Sequence, residues 1–382
     1  MIPKNIGKDH IFSAVRDIDR DGIPPSKDSK KFKLFFEGKE YPPKYVISIA
    51  NKYANGKELE PSDFSGGQET NNYLRQLGFE ITEICLSPRR PQPQFNLRTN
   101  IDLNPSLARI IIADEWYEVD IDRSKLLLRE ICNAWPRRQK VNCLITCGGF
   151  LQFDWPDGLS LSDIGDNKFP KEESINRLIA EAKKQCDLLI DDELKKELIA
   201  CTEYITIGID SFMDKESTSE TQPHVELVAL INLKTRQYHW TGKSYPLTSQ
   251  EKGLVRIKDL RTHFVDLPFG KVMILGCHDL NMFSPRGNAV VKAGWRKEII
   301  HEMEQKVAEE KPKIVLQHPH TTDSPNIWTQ AWNKLAKTTS TIEKYVSAGR
   351  YYYRDGARSD LDKVLIKTKR GSTIDFIVSI VE

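Results

Sequence analysis

Between residues 101 and 382, short apolar runs alternate with amphipathic segments, and this pattern leaves few folds open. The apolar runs have the length of buried strands, and the amphipathic segments have the period of helices that pack on a sheet. We therefore predict an α/β protein. The predicted strands are 108–114, 141–147, 204–210, 225–233, 271–277 and 313–319, with a final pair around 363–368 and 373–381. The predicted helices are 123–134, 172–185, 294–310 and 327–337.

A proline-rich segment, SPRRPQPQ at Ser87–Gln94, separates this region from the N-terminal part of the chain. Its three prolines and two arginines cannot continue a helix and fit poorly inside a sheet. We predict a first domain at residues 1–85, a linker at 86–104 and a second domain at 105–382.

The first domain has the pattern of a small α+β unit. Phe32, Leu34 and Phe36 alternate with polar residues, which predicts a half-buried strand that turns back at residues 37–39. The predicted helices are 10–19, 43–53 and 69–77, the last of them capped by Gly78.

Composition and charge exclude several classes of protein. The formal net charge of the chain is +2, so any nucleic-acid site must be a local basic patch. No apolar run approaches the ~20 residues of a membrane helix, and the N-terminus lacks an apolar signal stretch, so we expect a cytoplasmic protein without membrane contact. The seven cysteines include no C-x-x-C pair, which argues against a disulfide framework or a thiolate zinc site.

Lysines and aromatic residues interleave in the first domain around Lys31 and Lys44. Such a patch could follow a phosphate backbone and bind DNA. The alternative is an ordinary solvated face with aromatic side chains packed beneath it. Nearby aspartates cancel much of the charge.

Two stretches of this domain carry a family resemblance: GKEYPPKYVISIAN at residues 38–51 and DFSGGQETNNYLRQLGFEI at residues 63–81. Together they resemble the N-terminal head domain of modification-dependent restriction endonucleases of the McrA-like, HNH-containing kind. The resemblance implies a restriction or phage-defence context with contact to DNA. The chain has no HNH nuclease motif, so we do not expect nuclease activity of that type.

Three stretches of the second domain resemble the carbon–nitrogen hydrolase, or nitrilase, superfamily. They are VALINLKTRQYHWTGKSYPLTSQE with Lys243, FGKVMILGCHDLNMFSPR with Cys277 and Asp279, and KIVLQHPHTTDSPNIWTQAWNKLA. The resemblance implies a four-layer α-β-β-α sandwich, a homodimer and a thiolate that attacks an amide or nitrile carbon. We expect a small-molecule substrate and no cofactor.

The chemistry of that family needs three groups. A thiolate attacks, a lysine stabilises the oxyanion, and a glutamate transfers protons. Cys277 and Lys243 match the first two. The glutamate's place falls at Cys147 or Gly148, where no carboxylate stands, although Glu115 or Asp154 could be a displaced base.

Polar residues also gather after two predicted strands: Cys277, His278 and Asp279 after one, and His318 and His320 after the next. These residues are expected to converge on one sheet edge. A histidine, His318 or His320, could replace the glutamate as base. Alternatively, His278, Asp279, His318 and His320 could bind a metal, or the histidines could only hydrogen-bond at strand ends.

The loop RYYYRDGARSD at Arg350–Asp360 could use Arg350 and Tyr352 to stack on a base or grip a phosphate, or it could simply pack over the sandwich. The glycines of CGGF at Cys147–Phe150 could allow a close backbone approach or only a turn. Two functions stay open: a thiol-dependent C–N hydrolase, and a degenerate nitrilase fold that senses a nucleotide, DNA or protein partner.

Overall fold

The computed structural model divides into two compact units, Met1–Gln92 and Pro93–Glu382. It describes residues 2–24, 27, 29, 32–60, 63–64, 67–83, 93–114, 116, 120–156, 158–164, 166, 168–211, 223–251, 253–285, 291, 293–322, 325–351 and 360–381.

The first unit is a small α+β unit, as predicted. Its three-stranded antiparallel sheet has the order β2-β1-β3, and the helices pack on it around buried residues such as Leu34. Glu37 and Gly38 adopt φ of 49° and 79°, the conformation of a tight hairpin turn between β1 and β2. The elements are α1 (Lys8–Asp21), β1 (Phe32–Phe36), β2 (Lys39–Tyr41), α2 (Pro43–Asn55), α3 (Gln68–Gln76) and β3 (Glu80–Glu83).

The second unit contains an eight-stranded sheet with the order β10-β9-β8-β6-β5-β16-β4, in which β7 also pairs with β8. The hairpin of β9 and β10 is antiparallel. The strands of this sheet are β4 (Gln94–Ile101), β5 (Leu107–Ile112), β6 (Val141–Ile145), β7 (Leu151–Phe153), β8 (Thr202–Ser211), β9 (Glu226–Asn232), β10 (Tyr238–Gly242) and β16 (Thr373–Val381).

A five-stranded sheet has the order β11-β12-β13-β14-β15, with β12, β13 and β14 parallel. Its strands are β11 (Phe264–Leu267), β12 (Gly270–Leu275), β13 (Ile314–Gln317), β14 (Lys344–Ser347) and β15 (Lys369–Arg370). The helices of the second unit are α4 (Ile121–Asn133), α5 (Leu161–Ile164), α6 (Glu172–Leu189), α7 (Asp192–Cys201), α8 (Trp295–Glu310), α9 (Pro325–Thr338) and α10 (Leu361–Lys367).

The two sheets face each other through a shared apolar layer. Leu107, Ile145 and Leu230 of the larger sheet pack in one cluster with Ile274 and Leu316 of the smaller one. A second cluster joins the other face of the larger sheet to α4, α6 and α7, and a third joins the other face of the smaller sheet to α8 and α9. The second unit is therefore the expected four-layer α-β-β-α sandwich.

Two predictions about local structure are wrong. Residues 363–368 lie in α10 and its C-terminal cap rather than in a strand, because the Asp360 carboxylate caps the helix and Val364 and Leu365 bury one face. Residues 94–101 belong to β4, which pairs along its length with β16, so this part of the predicted linker is in the sheet. The rest of the proline-rich segment, up to residue 92, lies outside the described residues.

Among the described residues, no helix is both long enough and apolar enough to cross a membrane.

Candidate active site

Cys277 follows the C-terminal end of β12, where the strand comes close to the end of β10. A Cβ atom on Gly276 would lie 2.9 Å from both the Cα and the N atom of Lys243, so only glycine allows this approach. The Cys277 residue is 4% exposed. Whether this buried thiol can react therefore depends on the side chains that surround it.

Asp279 joins the segment that carries Cys277 to the segment that carries Lys243. Its Oδ1 accepts hydrogen bonds from the backbone N–H groups of Ser244 (2.9 Å) and Tyr245 (2.8 Å), and its Oδ2 accepts one from Gly276 (2.9 Å). Asp279 is fully buried. The sequence makes Asp279 a candidate catalytic residue, and in the structure its hydrogen bonds fix the position of Cys277 relative to Lys243.

Lys243 and Glu226 form a buried ion pair. The strand register of β9 and β10 brings them together, and Lys243 Nζ donates to Glu226 Oε1 at 2.8 Å and to Gln250 Oε1 at 2.6 Å. Burial opposes both charges, yet the pKa of Glu226 falls to about 2 because Lys243 and His320 favour its anion. Burial likewise opposes the ammonium, but Glu226 and Cys277 raise the pKa of Lys243 above its ordinary value.

Glu226 belongs to this cluster and is one of the residues that the sequence analysis did not identify. The nitrilase resemblance predicts a carboxylate after the strand that ends near Cys147, whereas Glu226 stands at the start of β9, next to Lys243 in the sheet. A signal was present: Glu226 opens a strand whose next five residues are apolar, and the hairpin pairs it with the segment after Gly242.

His320 lies between three acidic groups. Its Nε2 is 2.6 Å from Asp210 Oδ2, its Nδ1 is 3.8 Å from Glu226 Oε2, and its backbone N–H donates to Cys277 Sγ at 3.3 Å. Burial lowers the pKa of His320, but Asp210, Cys277 and Glu226 outweigh it and raise that pKa well above its usual value. The structure thus brings Cys277, His320, Lys243 and Glu226 together.

The thiol is correspondingly acidic. Burial alone would raise the pKa of Cys277, but the charges of His278 and His320 lower it well below the ordinary value. The side chain of His320 is 24% exposed and that of Asp210 is 17% exposed, so the site borders solvent on the imidazole side.

The glycines of the CGGF segment lie against this histidine. A Cβ atom on Gly148 would be 2.8 Å from the His318 carbonyl oxygen and 3.3 Å from the His320 N atom. A Cβ atom on Gly149 would be 2.7 Å from Asp210 Oδ2. CGGF therefore makes a close backbone approach, and the space beside Gly148 is filled by the backbone of residues 318–320.

The other predicted site residues have different environments, although His278 is close enough for its charge to act on the Cys277 thiol. His318 is buried, its Nδ1 donates to the Thr146 carbonyl oxygen at 2.8 Å, and burial lowers its pKa to about 4, so it is neutral. His278 precedes the short helix at 279–283, and its ring lies 6.0 Å from that of Trp328. Arg350 Nε donates to the His320 carbonyl oxygen at 3.0 Å and thereby supports the backbone of the site.

The Asp154 residue is exposed, whereas Cys277 is buried. Lys44 in the first unit lies with its Nζ 5.1 Å from the centre of the Phe64 ring. Lys31, Tyr352 and Glu115 lie outside the described residues.

One set of side chains has the spacing of a metal site. Single ligand atoms of Glu226, Cys277 and His320 all lie within 4.8 Å of one another. In the described part of the chain, His278, Asp279, His318 and His320 do not form such a group, because Asp279 accepts backbone hydrogen bonds and His318 faces Thr146. The Lys243 ammonium already supplies a cation to Glu226.

Comparison with solved structures gives distant matches to amidases. A cysteine-to-alanine variant of the Nesterenkonia AN1 amidase from the nitrilase superfamily is 10% identical, with a TM-score of 0.35 over 65% of this chain and 78% of that one. The amidase from Nesterenkonia sp. is 11% identical, with a TM-score of 0.36 over 67% and 80%. A structure described as N-terminal amidase is 12% identical, with a TM-score of 0.29 over 64% and 55%.

No curated protein sequence matches the chain. A family model described as the ScoMcrA-like N-terminal head domain matches residues 4–83, which is nearly all of the first unit. The predicted resemblance of this unit is confirmed, because the head-domain model matches residues 4–83.

Proposed function

We propose that the second unit hydrolyses a C–N bond of a small amide, with the Cys277 thiolate as nucleophile. The observation that carries this proposal is the set of groups around the buried thiol: Cys277 Sγ accepts from the His320 backbone N–H at 3.3 Å and lies within 4.8 Å of side-chain ligand atoms of Glu226 and His320. The pKa of Cys277 lies well below its usual value although burial opposes the anion, because His278 and His320 supply compensating charge. A thiol that serves only as a core residue has no such environment: burial raises the pKa of Cys143 to about 12.

Lys243 is suited to stabilise the oxyanion that forms when the thiolate attacks a carbonyl carbon. An ammonium has three N–H donors, and two of them are used by Glu226 and Gln250. The third is available for a substrate oxygen, and a fixed cation in a water-poor site is effective in this role. Glu226 and Gln250 hold the ammonium in one orientation, so no reorganisation is needed at the moment of attack.

The sequence resemblance to nitrilases around Lys243 and Cys277 supports an amide or nitrile as the substrate class. An amide agrees best with the site, since an amine leaving group needs a proton and His320 is an adjacent donor.

Thiol labelling tests the proposal. The full chain is treated with iodoacetamide between pH 5 and 9, and the alkylated cysteines are identified by mass spectrometry. Cys277 should react selectively down to low pH, Cys277→Ser should abolish that signal, and Lys243→Met should slow it. Cys143 and Cys186, both buried with pKa raised by burial, are internal controls. A panel of small amides is then screened for Cys277-dependent release of amine.

Labelling of Cys277 that is as slow as that of the two control cysteines would contradict the enzyme proposal. It would favour the alternative, a nitrilase-type fold that binds a nucleotide, DNA or protein partner without catalysis.

We further propose that the head domain places this hydrolase in a restriction or phage-defence system and contacts DNA. The family match to residues 4–83 supports the setting, and Lys44, whose cation stacks on Phe64, is a candidate contact to a phosphate. Fluorescence anisotropy of the full chain with modified and unmodified duplexes tests this. Lys44→Glu should weaken DNA binding, whereas Lys306→Glu in α8 should not.

The predicted homodimer is a separate proposal, and it is tested by sedimentation of the full chain.

A further inference from the structure

We propose that His320, oriented by Asp210, carries the protons of this reaction in place of the glutamate that the nitrilase resemblance predicts near Cys147. The inference rests on the proposed function, because it assigns a role within the same site. His320 would act as a catalytic acid and base, and Asp210 as its positioning residue.

The hydrogen bond to Asp210 decides which ring nitrogen is available. Asp210 Oδ2 lies 2.6 Å from Nε2, so this nitrogen keeps its proton and the carboxylate fixes the plane of the ring. The other nitrogen, Nδ1, lies 3.8 Å from Glu226 Oε2, and an imidazole nitrogen of His320 is within 4.8 Å of Cys277 Sγ. Nδ1 is therefore turned toward Glu226, within the same group of side chains as Cys277 Sγ.

Hydrogen bonds fix both the backbone N–H and the carbonyl oxygen of His320. Its N–H donates to Cys277 Sγ, and its carbonyl oxygen accepts from the backbone N–H of Arg350 at 2.9 Å and from Arg350 Nε at 3.0 Å. The preceding carbonyl oxygen, that of Pro319, accepts from the N–H of Gly148 at 3.1 Å. A group fixed in this way keeps its distance to the thiolate, which proton transfer requires.

The two glycines explain why a histidine can occupy this place. Any side chain at residue 148 would meet the backbone between His318 and His320, and a Cβ atom at residue 149 would lie 2.7 Å from Asp210 Oδ2 and 3.3 Å from His320 Cδ2. The lack of a side chain at residues 148 and 149 leaves the space in which the backbone of residues 318–320 and the imidazole–carboxylate pair pack.

Glu226 is less suited to transfer protons. Its Oε1 accepts from Lys243 and Gln250, and its pKa of about 2 makes it a weak base at neutral pH. We assign it to orienting Lys243. His320 differs because one of the anions that keep it protonated is the thiolate itself. When Sγ becomes acylated that charge disappears, and the imidazolium becomes a stronger acid when the leaving amine needs a proton.

The proposed reaction has two stages, acylation of Cys277 and hydrolysis of the acyl-enzyme. Sγ bonds to the carbonyl carbon while the C=O π electrons move to oxygen, next to the Lys243 ammonium. The C=O bond then re-forms, the C–N bond breaks, and the imidazolium proton of His320 passes to the departing nitrogen. Neutral His320 next takes a proton from water as the water oxygen bonds to the acyl carbon. The C–S bond breaks, and the carboxylic acid, the thiolate and the imidazolium result.

The test compares two acyl donors that differ in their need for a proton. p-Nitrophenyl acetate releases a stable phenolate without an acid, whereas p-nitroacetanilide must protonate its leaving nitrogen. The measurements are made at pH 9, so that the thiolate forms even when His320 is replaced. For His320→Gln we expect acylation by the ester to fall less than about 10-fold and hydrolysis of the anilide to fall about 10²–10⁴-fold. Asp210→Asn should shift the pH profile of anilide hydrolysis, and Asp210→Glu should restore part of the rate.

An equal loss with both donors would overturn the inference, because it would mean that His320 only positions the thiolate. So would unchanged anilide hydrolysis in His320→Gln. Either result leaves the proposed function standing, since Cys277→Ser would still abolish turnover. A wild-type chain with neither an acylation burst nor turnover would instead overturn the proposed function, and the inference with it. Near-ultraviolet circular dichroism of each variant, with Asp154→Asn as an exposed control, establishes that the fold is intact.

Discussion

The Lys243 ammonium donates to the Glu226 carboxylate at 2.8 Å in an interior where their side chains are 0% and 8% exposed. Removing two charges from water costs several kcal/mol each, and only close pairing with further hydrogen bonds offsets that cost. Gln250 supplies such bonds to both partners. The pair is therefore a site where either single substitution leaves a buried charge without its partner.

Glu226→Leu and Lys243→Met should each reduce the free energy of unfolding by about 3–5 kcal/mol. The double variant Glu226→Leu with Lys243→Met should recover much of this loss, because it leaves no isolated charge. Urea denaturation of the four proteins gives the coupling energy. The surface pair Lys306–Glu309 at 2.7 Å is the control and should show coupling below about 0.5 kcal/mol. Additive costs at residues 226 and 243 would contradict the prediction.

Asp279→Ala should separate the two segments that carry the nucleophile and the lysine. Three backbone N–H groups would lose their acceptor inside the protein, which we expect to cost about 2–4 kcal/mol and to slow iodoacetamide labelling of Cys277. Asp266→Asn is a matched control, because that side chain is 81% exposed and should change stability by less than about 0.5 kcal/mol. Wild-type labelling kinetics in Asp279→Ala would show that the carboxylate does not position the thiol.

Gly149→Ala should perturb the Asp210–His320 pair. The substitution has two costs: an alanine at φ +62°, and a Cβ atom 2.7 Å from Asp210 Oδ2. Gly158 isolates the first cost, because it has φ +70° and nothing within 4 Å of its Cβ position. Gly158→Ala should cost about 1 kcal/mol, and Gly149→Ala about 1–3 kcal/mol more. Thermal melting measures both, and equal costs would mean that the pair adapts without strain.

The fold could be predicted from sequence to the extent that apolar periodicity determines it. The strands around residues 108–114, 225–233 and 271–277 were found because they are buried runs. Residues 363–368 were misassigned because Val364, Leu365 and Ile366 are a short apolar run that fits either a strand or a helix. The Asp360 cap decided in favour of the helix.

The site could be predicted only in part, since its members come from distant parts of the chain. Cys277 and Lys243 follow strands and were identified from local stretches. Glu226 and Asp210 were missed because a carboxylate next to an apolar strand is only a weak local signal. Their role depends on the register of β8, β9 and β10 and on where His320 lies after β13.

His318 gives a prediction about pH that is independent of catalysis. Burial lowers its pKa from 6.5 to about 4 in the folded protein. Below pH 6.5 the unfolded chain therefore binds a proton that the folded protein does not, and this group reduces stability as pH falls from 6.5 toward 4. Between pH 7 and pH 5, its contribution should fall by about 2 kcal/mol.

Other groups also titrate in that interval, and the raised pKa of His320 acts in the opposite direction. The measurement is therefore a difference between the wild type and His318→Asn, which retains a donor for the Thr146 carbonyl oxygen. Urea denaturation at pH 7 and pH 5 should show the wild type losing about 2 kcal/mol more than the variant. His301→Asn on the exposed face of α8 should follow the wild type. Parallel pH dependence in the wild type and His318→Asn would mean that His318 can take up a proton in the folded protein.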